Sequence, residues 1–170
     1  MYKTVVFDLD GTLLNTLTDL ADAGNRLCRK YGWPTHERQA YRYFVGNGIP
    51  KLVERFSPAS CRSPEQLAAT LAEFDKVYGA HMHDKTAPYP GMPALLARLK
   101  AEGARMCICS NTWADQCEEV LTRLGVADYF EFFCTAQGAK SKAHPEVFHE
   151  VLERLGGSEP ADAVGFEDAG

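Results

Sequence analysis

The sequence lacks both an apolar run long enough to cross a membrane and an excess of basic residues. A bilayer-spanning helix needs about 20 mostly apolar residues in succession, and no such stretch occurs. The 23 acidic side chains outnumber the 18 Lys and Arg side chains, which gives a formal charge of −5 and argues against nucleic acid or an anionic membrane as a partner. Asp8 and Asp10 also make the N-terminus unlike a signal peptide, so we expect a cytoplasmic protein.

The six cysteines lack the spacing of a disulfide framework or of a zinc site. Cys107 and Cys109 alternate within an apolar segment where a buried strand is predicted, and the other four are scattered singly along the chain. We therefore expect reduced thiols that fill the interior, as is usual for proteins of the cytoplasm.

Two carboxylates follow a short apolar run in the segment VVFDLDGTLL, residues 5–14. The β-branched and aromatic residues predict a buried strand that delivers Asp8 and Asp10 to its tip, and Gly11 lets the backbone turn sharply. Asp8 and Asp10 are two apart, project the same way and would repel each other without a cation or a shared proton. A divalent metal with a phosphorylated substrate relieves this repulsion, since hard oxygen ligands suit Mg²⁺. The alternative is a strand that ends in an ordinary acidic turn.

The order of predicted elements separates a helical segment from a strand–helix alternation. Residues 15–88 contain predicted helices and no convincing strand, and the first helix begins at Thr16, with Asp19 three residues beyond as in a capping box. From residue 89 onward, helices are predicted at 92–101, 115–124 and 146–155, and strands at 104–109, 132–136 and 163–166. This alternation predicts an α/β fold with a doubly wound parallel sheet. We therefore expect a core of residues 1–14 and 89–170, with residues 15–88 inserted as an all-helical cap domain.

Polar motifs also occur where two later elements meet the predicted sheet edge, which is the edge that binds ligands in open α/β folds. Ser110 and Asn111 follow the strand that ends at Cys109, and a hydroxyl with neighbouring amides either binds phosphate or caps a helix. Lys142 lies shortly before a predicted helix, where it either neutralises phosphate charge or points into solvent.

Glu167 and Asp168 directly follow the last predicted strand. Acids at that position would complete a magnesium site with Asp8 and Asp10, whereas the alternative is again an acidic turn. The conjunction of four such motifs favours the functional interpretation.

These four motifs resemble those of the haloacid dehalogenase superfamily of phosphohydrolases, and the resemblance extends over essentially the whole chain. It implies that Asp8 is a nucleophile that becomes an aspartyl-phosphate and that Asp10 acts as acid and base. Dehalogenases lack an acid at the position of Asp10, which favours phosphoryl chemistry. The resemblance also implies two ligand sets: Ser110, Asn111, Lys142 and Thr12 for the phosphate, and Asp8, the Asp10 carbonyl and Asp168 for Mg²⁺, with Glu167 in the outer shell.

The resemblance points to two kinds of substrate. Residues 44–55 resemble the cap segment of phosphoglycolate phosphatases, in which Lys51 or Arg55 would meet a substrate carboxylate. The pair Glu167 and Asp168 instead resembles that of sugar phosphatases and β-phosphoglucomutases. We predict a magnesium-dependent phosphomonoester hydrolase for 2-phosphoglycolate or a similar small metabolite. The alternatives are a phosphosugar phosphatase, a phosphosugar mutase, and a non-catalytic binding module with the same fold.

Relatives of this type usually continue with a further strand and helix beyond the fourth motif, whereas this sequence stops at Gly170. A sheet left with an unfinished edge would be an aggregation hazard. We therefore expect that the sequence is part of a longer product and that the end of the core lies beyond Gly170.

Overall fold

The computed structural model describes residues 3–135, 145–156 and 160–167, and the chain divides into two compact units. The first unit contains the residues up to Asn15 and those from Ala87 onward, and the second runs from Thr16 to Thr86. The second unit is built from helices, whereas the first contains the strands. That the second unit works as a cap domain stays a prediction.

The described residues form six strands and seven α-helices. The strands are β1 (Thr4–Phe7), β2 (Leu14–Asn15), β3 (Ala87–Pro88), β4 (Arg105–Ser110), β5 (Phe133–Thr135) and β6 (Ala163–Phe166). The helices are α1 (Leu17–Tyr31), α2 (Arg38–Phe44), α3 (Ile49–Phe56), α4 (Pro64–His81), α5 (Met92–Ala101), α6 (Ala114–Arg123) and α7 (Pro145–Arg154). Within this described part, none of the helices is long and apolar enough to cross a membrane.

The described strands of the first unit form a parallel sheet in the order β5-β4-β1-β6. β1 pairs with β4 on one side and with β6 on the other, so Val6 has Cys107 and Gly165 as its neighbours. The chain moves outward from β1 through β4 to β5 and then returns to the far side of β1. This reversal creates a topological switch point between β1 and β6, where open α/β sheets bind ligands at the carboxyl ends of the strands. The predicted parallel α/β sheet is confirmed.

Burial on both faces explains the apolar sequence of the central strand. All four residues of β1 are buried, and Phe7 at its end stacks on Phe166 of β6 with ring centroids 5.2 Å apart. Phe130 contacts the Phe7 ring edge to face, at 6.0 Å. Both contacts fix the point at which the next residues leave the sheet. One further apolar cluster is formed by Val6, Cys107, Cys109, Cys134, Val147, Val151 and Leu155, and its cysteines are free thiols.

The start of the helical unit differs from the sequence-based prediction. The Thr16 side chain does not cap α1. Asp19, expected to complete a capping box, is 3% exposed and accepts hydrogen bonds from the amides of Lys85 and Thr86 and from the Thr86 hydroxyl, at 2.8 to 3.1 Å. The capping-box prediction is wrong because donors far along the chain satisfy this carboxylate. Asp19 thereby joins the first helix of the unit to its last residues.

Two short strands correct the prediction that residues 15–88 contain none. β2 pairs antiparallel with β3, so Leu14 is opposite Pro88 and Asn15 is opposite Ala87. The pairing brings together the two points at which the chain leaves the first unit and returns to it. Strands of two residues are too short to show an alternating pattern, so the sequence carries no signal for them.

Close packing between α1 and α2 depends on a glycine at position 24. A Cβ atom added to Gly24 would lie 2.8 Å from the ring atom Cε1 of Tyr41. Tyr41 is 0% exposed, and its ring is hemmed in by Phe44 and Phe56, whose ring centroids lie 5.2 and 6.4 Å away. Burial raises the pKa of the Tyr41 phenol, which therefore stays neutral. The ring has little room to move away from an added methyl group.

Replacing Gly24 with alanine is expected to lower the free energy of unfolding by about 1 to 3 kcal/mol, the usual cost of overpacking a filled interior. Gly79 of α4 is the matched control, because nothing lies within 4 Å of a Cβ added there. Gly79→Ala is expected to raise the free energy of unfolding by about 0.5 to 1 kcal/mol through helix propensity. Urea unfolding measures both changes, and equal effects of the two substitutions would contradict the packing argument.

Candidate active site

Asp8 and Asp10 begin a tightly folded turn at the carboxyl end of β1. The Leu14 amide donates a hydrogen bond to the Leu9 carbonyl, and the Gly11 amide donates one to the Leu14 carbonyl, each at 2.9 Å. Gly11 has a φ of +85°, in the left-handed region that favours glycine. Asp8 is only 8% exposed. Its carboxylate is therefore presented from a mostly buried strand end, as the sequence predicted.

The end of β6 lies beside Asp8. The Asp8 amide donates a hydrogen bond to the Phe166 carbonyl at 2.9 Å, so Glu167 leaves the sheet next to the first acid. Glu167 is exposed at this edge. Asp168, the predicted metal ligand that follows it in the sequence, lies outside the described residues.

The loop after β4 reaches the second acid. Ser110 is 1% exposed and Thr112 is 6% exposed. The Thr112 amide donates to Ser110 Oγ at 3.0 Å, and the Thr112 hydroxyl donates to Asp10 Oδ2 at 2.5 Å. The ends of β1 and β4 are thus joined by a hydrogen bond between side chains. No role was predicted for Thr112, although a hydroxyl two residues after Ser110 at a strand end is the signal that could have identified it.

A buried thiol lies beneath this loop. Cys117 of α6 donates from Sγ to the Thr112 carbonyl at 3.8 Å and is 0% exposed. Burial raises the pKa of the Cys117 thiol, the nearby carboxylates of Asp10 and Asp8 raise it further, and a hydrogen bond with the Ser110 side chain opposes the rise. The thiol therefore stays protonated and acts as packing under the site, since only a thiolate would be an effective nucleophile.

Three of the four predicted phosphate ligands lie within the described residues, and their contact with phosphate stays a prediction. Ser110 lies at the loop that contacts Asp10, Thr12 lies in the turn after β1, and Asn111 directly follows Ser110, with both Thr12 and Asn111 half-buried. Lys142, the predicted cationic ligand, lies outside the described residues.

The donor set at the edge suits a hard divalent cation. Asp8 and Glu167 follow paired strands and offer only oxygen atoms, as does the Asp10 backbone carbonyl, and Mg²⁺ prefers oxygen ligands. Within residues 3–135, 145–156 and 160–167, no three His, Cys, Asp or Glu side chains are grouped so that they could hold a metal ion by themselves. The residues present fit Mg²⁺ in chemistry, and the predicted set includes Asp168, beyond these ranges.

The two cations predicted to recognise substrate both have partners within the helical unit. Lys51 forms an ion pair with Glu54 at 2.6 Å on the exposed surface of α3. Arg55 donates to the Phe44 carbonyl at 2.9 Å and to Asn47 Oδ1 at 2.7 Å, so it holds the loop between α2 and α3. Their proposed contact with a substrate stays a prediction.

The chain belongs to the haloacid dehalogenase-like hydrolase family, whose model matches residues 5–170. A phosphoglycolate phosphatase of Thiobacillus denitrificans is 34% identical over 132 residues, which are 76% of this chain and 58% of that protein. One from Caulobacter vibrioides is 35% identical over 130 residues, which are 75% of this chain and 55% of that protein. The resemblance inferred from the motifs is confirmed.

A solved structure shows the same fold. The crystal structure of a predicted phosphoglycolate phosphatase from Haemophilus somnus 129pt has a TM-score of 0.89 and 25% sequence identity, and it covers 96% of this chain and 76% of that one. The chain matches a little over half the length of the first curated relatives, 58% and 55%.

Proposed function

We propose that the chain is a magnesium-dependent phosphomonoester hydrolase that works through an aspartyl-phosphate. The observation that carries this proposal is the hydrogen bond from Thr112 to Asp10, because it brings the end of β4, with Ser110, against the acids at the end of β1. Two acids and a phosphate-binding hydroxyl at one sheet edge are groups that phosphoryl transfer uses. Membership of the hydrolase family and relatives named as phosphoglycolate phosphatases support the same reaction.

Asp8 is the proposed nucleophile of the first step. A carboxylate oxygen of Asp8 attacks phosphorus in line with the ester oxygen; the new bond to phosphorus forms as the ester P–O bond breaks. Asp10 gives its proton to the departing alkoxide, which leaves as an alcohol. The low exposure of Asp8 supports this role, because a carboxylate held by a buried strand keeps the orientation that in-line attack requires.

Asp10 reverses its role in the second step. The ionised Asp10 takes a proton from water as the water oxygen attacks the phosphorus of the aspartyl-phosphate. The P–O bond to Asp8 breaks, inorganic phosphate leaves, and both carboxyl groups return to their starting states. Ser110 and neighbouring backbone amides stabilise the charge spread over the phosphoryl oxygens, and Lys142 is proposed to add a positive charge.

Asp8, the Asp10 carbonyl and Asp168 would hold Mg²⁺, with Glu167 in the outer shell. The all-oxygen donor set at the ends of β1 and β6 supports this assignment. A bound Mg²⁺ supplies positive charge that offsets the repulsion between the Asp8 carboxylate and the phosphate.

We propose 2-phosphoglycolate or a similar small phosphorylated acid as the substrate, because relatives at 34% and 35% identity are named phosphoglycolate phosphatases. A phosphosugar phosphatase or mutase is the second candidate, favoured by the acids Glu167 and Asp168 in the fourth motif. A non-catalytic binding module with the same fold is the third candidate. A cytoplasmic location of the protein also stays a prediction.

Asp8→Asn is expected to abolish turnover and phosphate trapping on the protein, because an amide is a poor nucleophile toward phosphorus. Asp10→Asn is expected to lower kcat by about two to four orders of magnitude, the range for general acid–base catalysis. Steady-state kinetics and acid-quench labelling measure both effects, and circular dichroism verifies the fold. Turnover by Asp8→Asn at the wild-type rate would rule out the mechanism.

Chelation with EDTA is expected to abolish activity, and added Mg²⁺ is expected to restore it. Asp168→Ala should raise the Mg²⁺ concentration needed for half-maximal activity far more than Glu167→Ala, since only Asp168 is assigned as a direct ligand. Glu167→Ala is the matched control, because both substitutions remove one negative charge and the two acids are adjacent in the sequence. Activity that persists unchanged after thorough chelation would show that the metal assignment is wrong.

Lys51→Ala is expected to lower kcat/KM for 2-phosphoglycolate and to leave that for a hexose 6-phosphate unchanged. Lys51 is the better candidate for recognising a carboxylate, because its ion pair with Glu54 is exposed and therefore weak. The Lys51 ammonium group can leave Glu54 for a substrate carboxylate at little cost in free energy. Arg55→Ala is the comparison variant, and thermal unfolding should show lost stability there because Arg55 holds Phe44 and Asn47. Equal activity on both substrates in all variants would exclude recognition by these cations.

A further inference from the structure

Thr112 contacts two of the proposed catalytic groups at once. Its backbone N–H donates to Ser110 Oγ at 3.0 Å, and its hydroxyl donates to Asp10 Oδ2 at 2.5 Å. The residue is 6% exposed, so water has little access to compete for either hydrogen bond. Thr112 therefore links the proposed phosphate ligand to the proposed acid and base.

The backbone of Thr112 is itself held in place. The Cys117 thiol donates to the Thr112 carbonyl at 3.8 Å, and Cys117 also donates its amide to the Trp113 carbonyl at 2.9 Å as α6 begins. Cys117 is completely buried, so the loop rests on the core. The Thr112 hydroxyl is thus presented to Asp10 from a fixed position.

The two hydrogen bonds have separate consequences. Ser110 Oγ accepts a hydrogen bond from the Thr112 amide. The Ser110 hydroxyl proton is therefore not used in this contact and can be donated to another acceptor. Asp10 Oδ2 accepts from the Thr112 hydroxyl, and this contact restrains rotation of the carboxyl group about its terminal bond, where rotamers are broad. The amide contact does not depend on the Thr112 side chain, so substitution at this position can remove the second contact alone.

We propose that Thr112 is a positioning residue that fixes the Asp10 carboxyl for proton transfer to the leaving oxygen and from the attacking water. The inference rests on the proposed phosphohydrolase function. Proton transfer needs donor and acceptor atoms within about 2.6 to 3.2 Å of each other. A displacement of about 1 Å can cost about 100-fold in rate. Loss of the Thr112 hydroxyl removes one restraint on the Asp10 carboxyl, so this group leaves that range more often.

Thr112→Val, which keeps the side-chain shape and the backbone N–H but removes the hydroxyl, is the main test. For an alkyl ester such as 2-phosphoglycolate, whose leaving oxygen needs a proton, kcat/KM is expected to fall by roughly 10- to 100-fold. For p-nitrophenyl phosphate, whose leaving group departs readily as an anion, kcat/KM is expected to fall less than about threefold, because general acid catalysis contributes little to its departure.

Thr112→Ser is the matched control, since it restores the hydroxyl and should recover most of the alkyl-ester activity. A double-mutant cycle with Asp10→Asn tests whether Thr112 acts through Asp10. If it does, Thr112→Val causes no further loss in the Asp10→Asn background. Thr112→Ala provides a second hydroxyl-free variant, and urea unfolding identifies any variant that has lost its fold.

Equal losses for the alkyl and aryl esters, or a full additional loss in the Asp10→Asn background, would overturn the inference and leave the proposed function standing. Wild-type activity in a folded Thr112→Val protein would overturn it in the same way. Failure of the folded wild type, with Mg²⁺ present, to hydrolyse either ester would instead overturn the proposed function and this inference with it.

Discussion

The parallel pairing of β1 with β4 and β6 is the constraint on which the candidate site depends. Because β1 is buried on both faces and paired on both sides, neighbouring strands and packed side chains together set the positions of its last residues. Phe7, stacked on Phe166, is the last residue before Asp8. Parallel strands end at the same edge, so the two acids, the Ser110 loop and Glu167 are brought together by backbone pairing before any contact between their side chains.

Side chains then refine what the sheet brings together. Thr112 connects the β4 loop to Asp10, and the neutral Cys117 thiol supports that loop from the core. Neither residue carries charge, yet both lie against groups proposed to transfer protons or bind phosphate. Hydrogen bonds between distant residues also hold the helical unit together. In this unit Asp19 of α1 accepts hydrogen bonds from Lys85 and Thr86, the last two residues of the unit. In both units, polar groups distant in sequence satisfy one another inside an apolar framework.

Much of this arrangement follows from the sequence because its signals are local. The apolar run before Asp8 predicted β1, and alternation after residue 89 predicted the parallel sheet. The errors concern long-range partners: Asp19 has the spacing of a capping box but binds Lys85 and Thr86, and two-residue strands carry no pattern. Thr112 directly follows Ser110 and Asn111 in the sequence, but its contact with Asp10, 102 positions away, depends on strand order rather than on sequence spacing. Local sequence patterns therefore predict the helices, the longer strands and the positions of the motifs. The contacts between these elements can be identified only from the three-dimensional structure.

The central claim is that Asp8 takes the phosphoryl group before water does. The most direct measurement is the configuration at phosphorus after hydrolysis of an isotopically chiral phosphate ester by the wild-type protein with Mg²⁺. Each in-line displacement inverts phosphorus, and the proposed reaction contains two of them. The account predicts overall retention of configuration. Overall inversion would mean that water attacks the substrate directly, and it would contradict a covalent intermediate on Asp8.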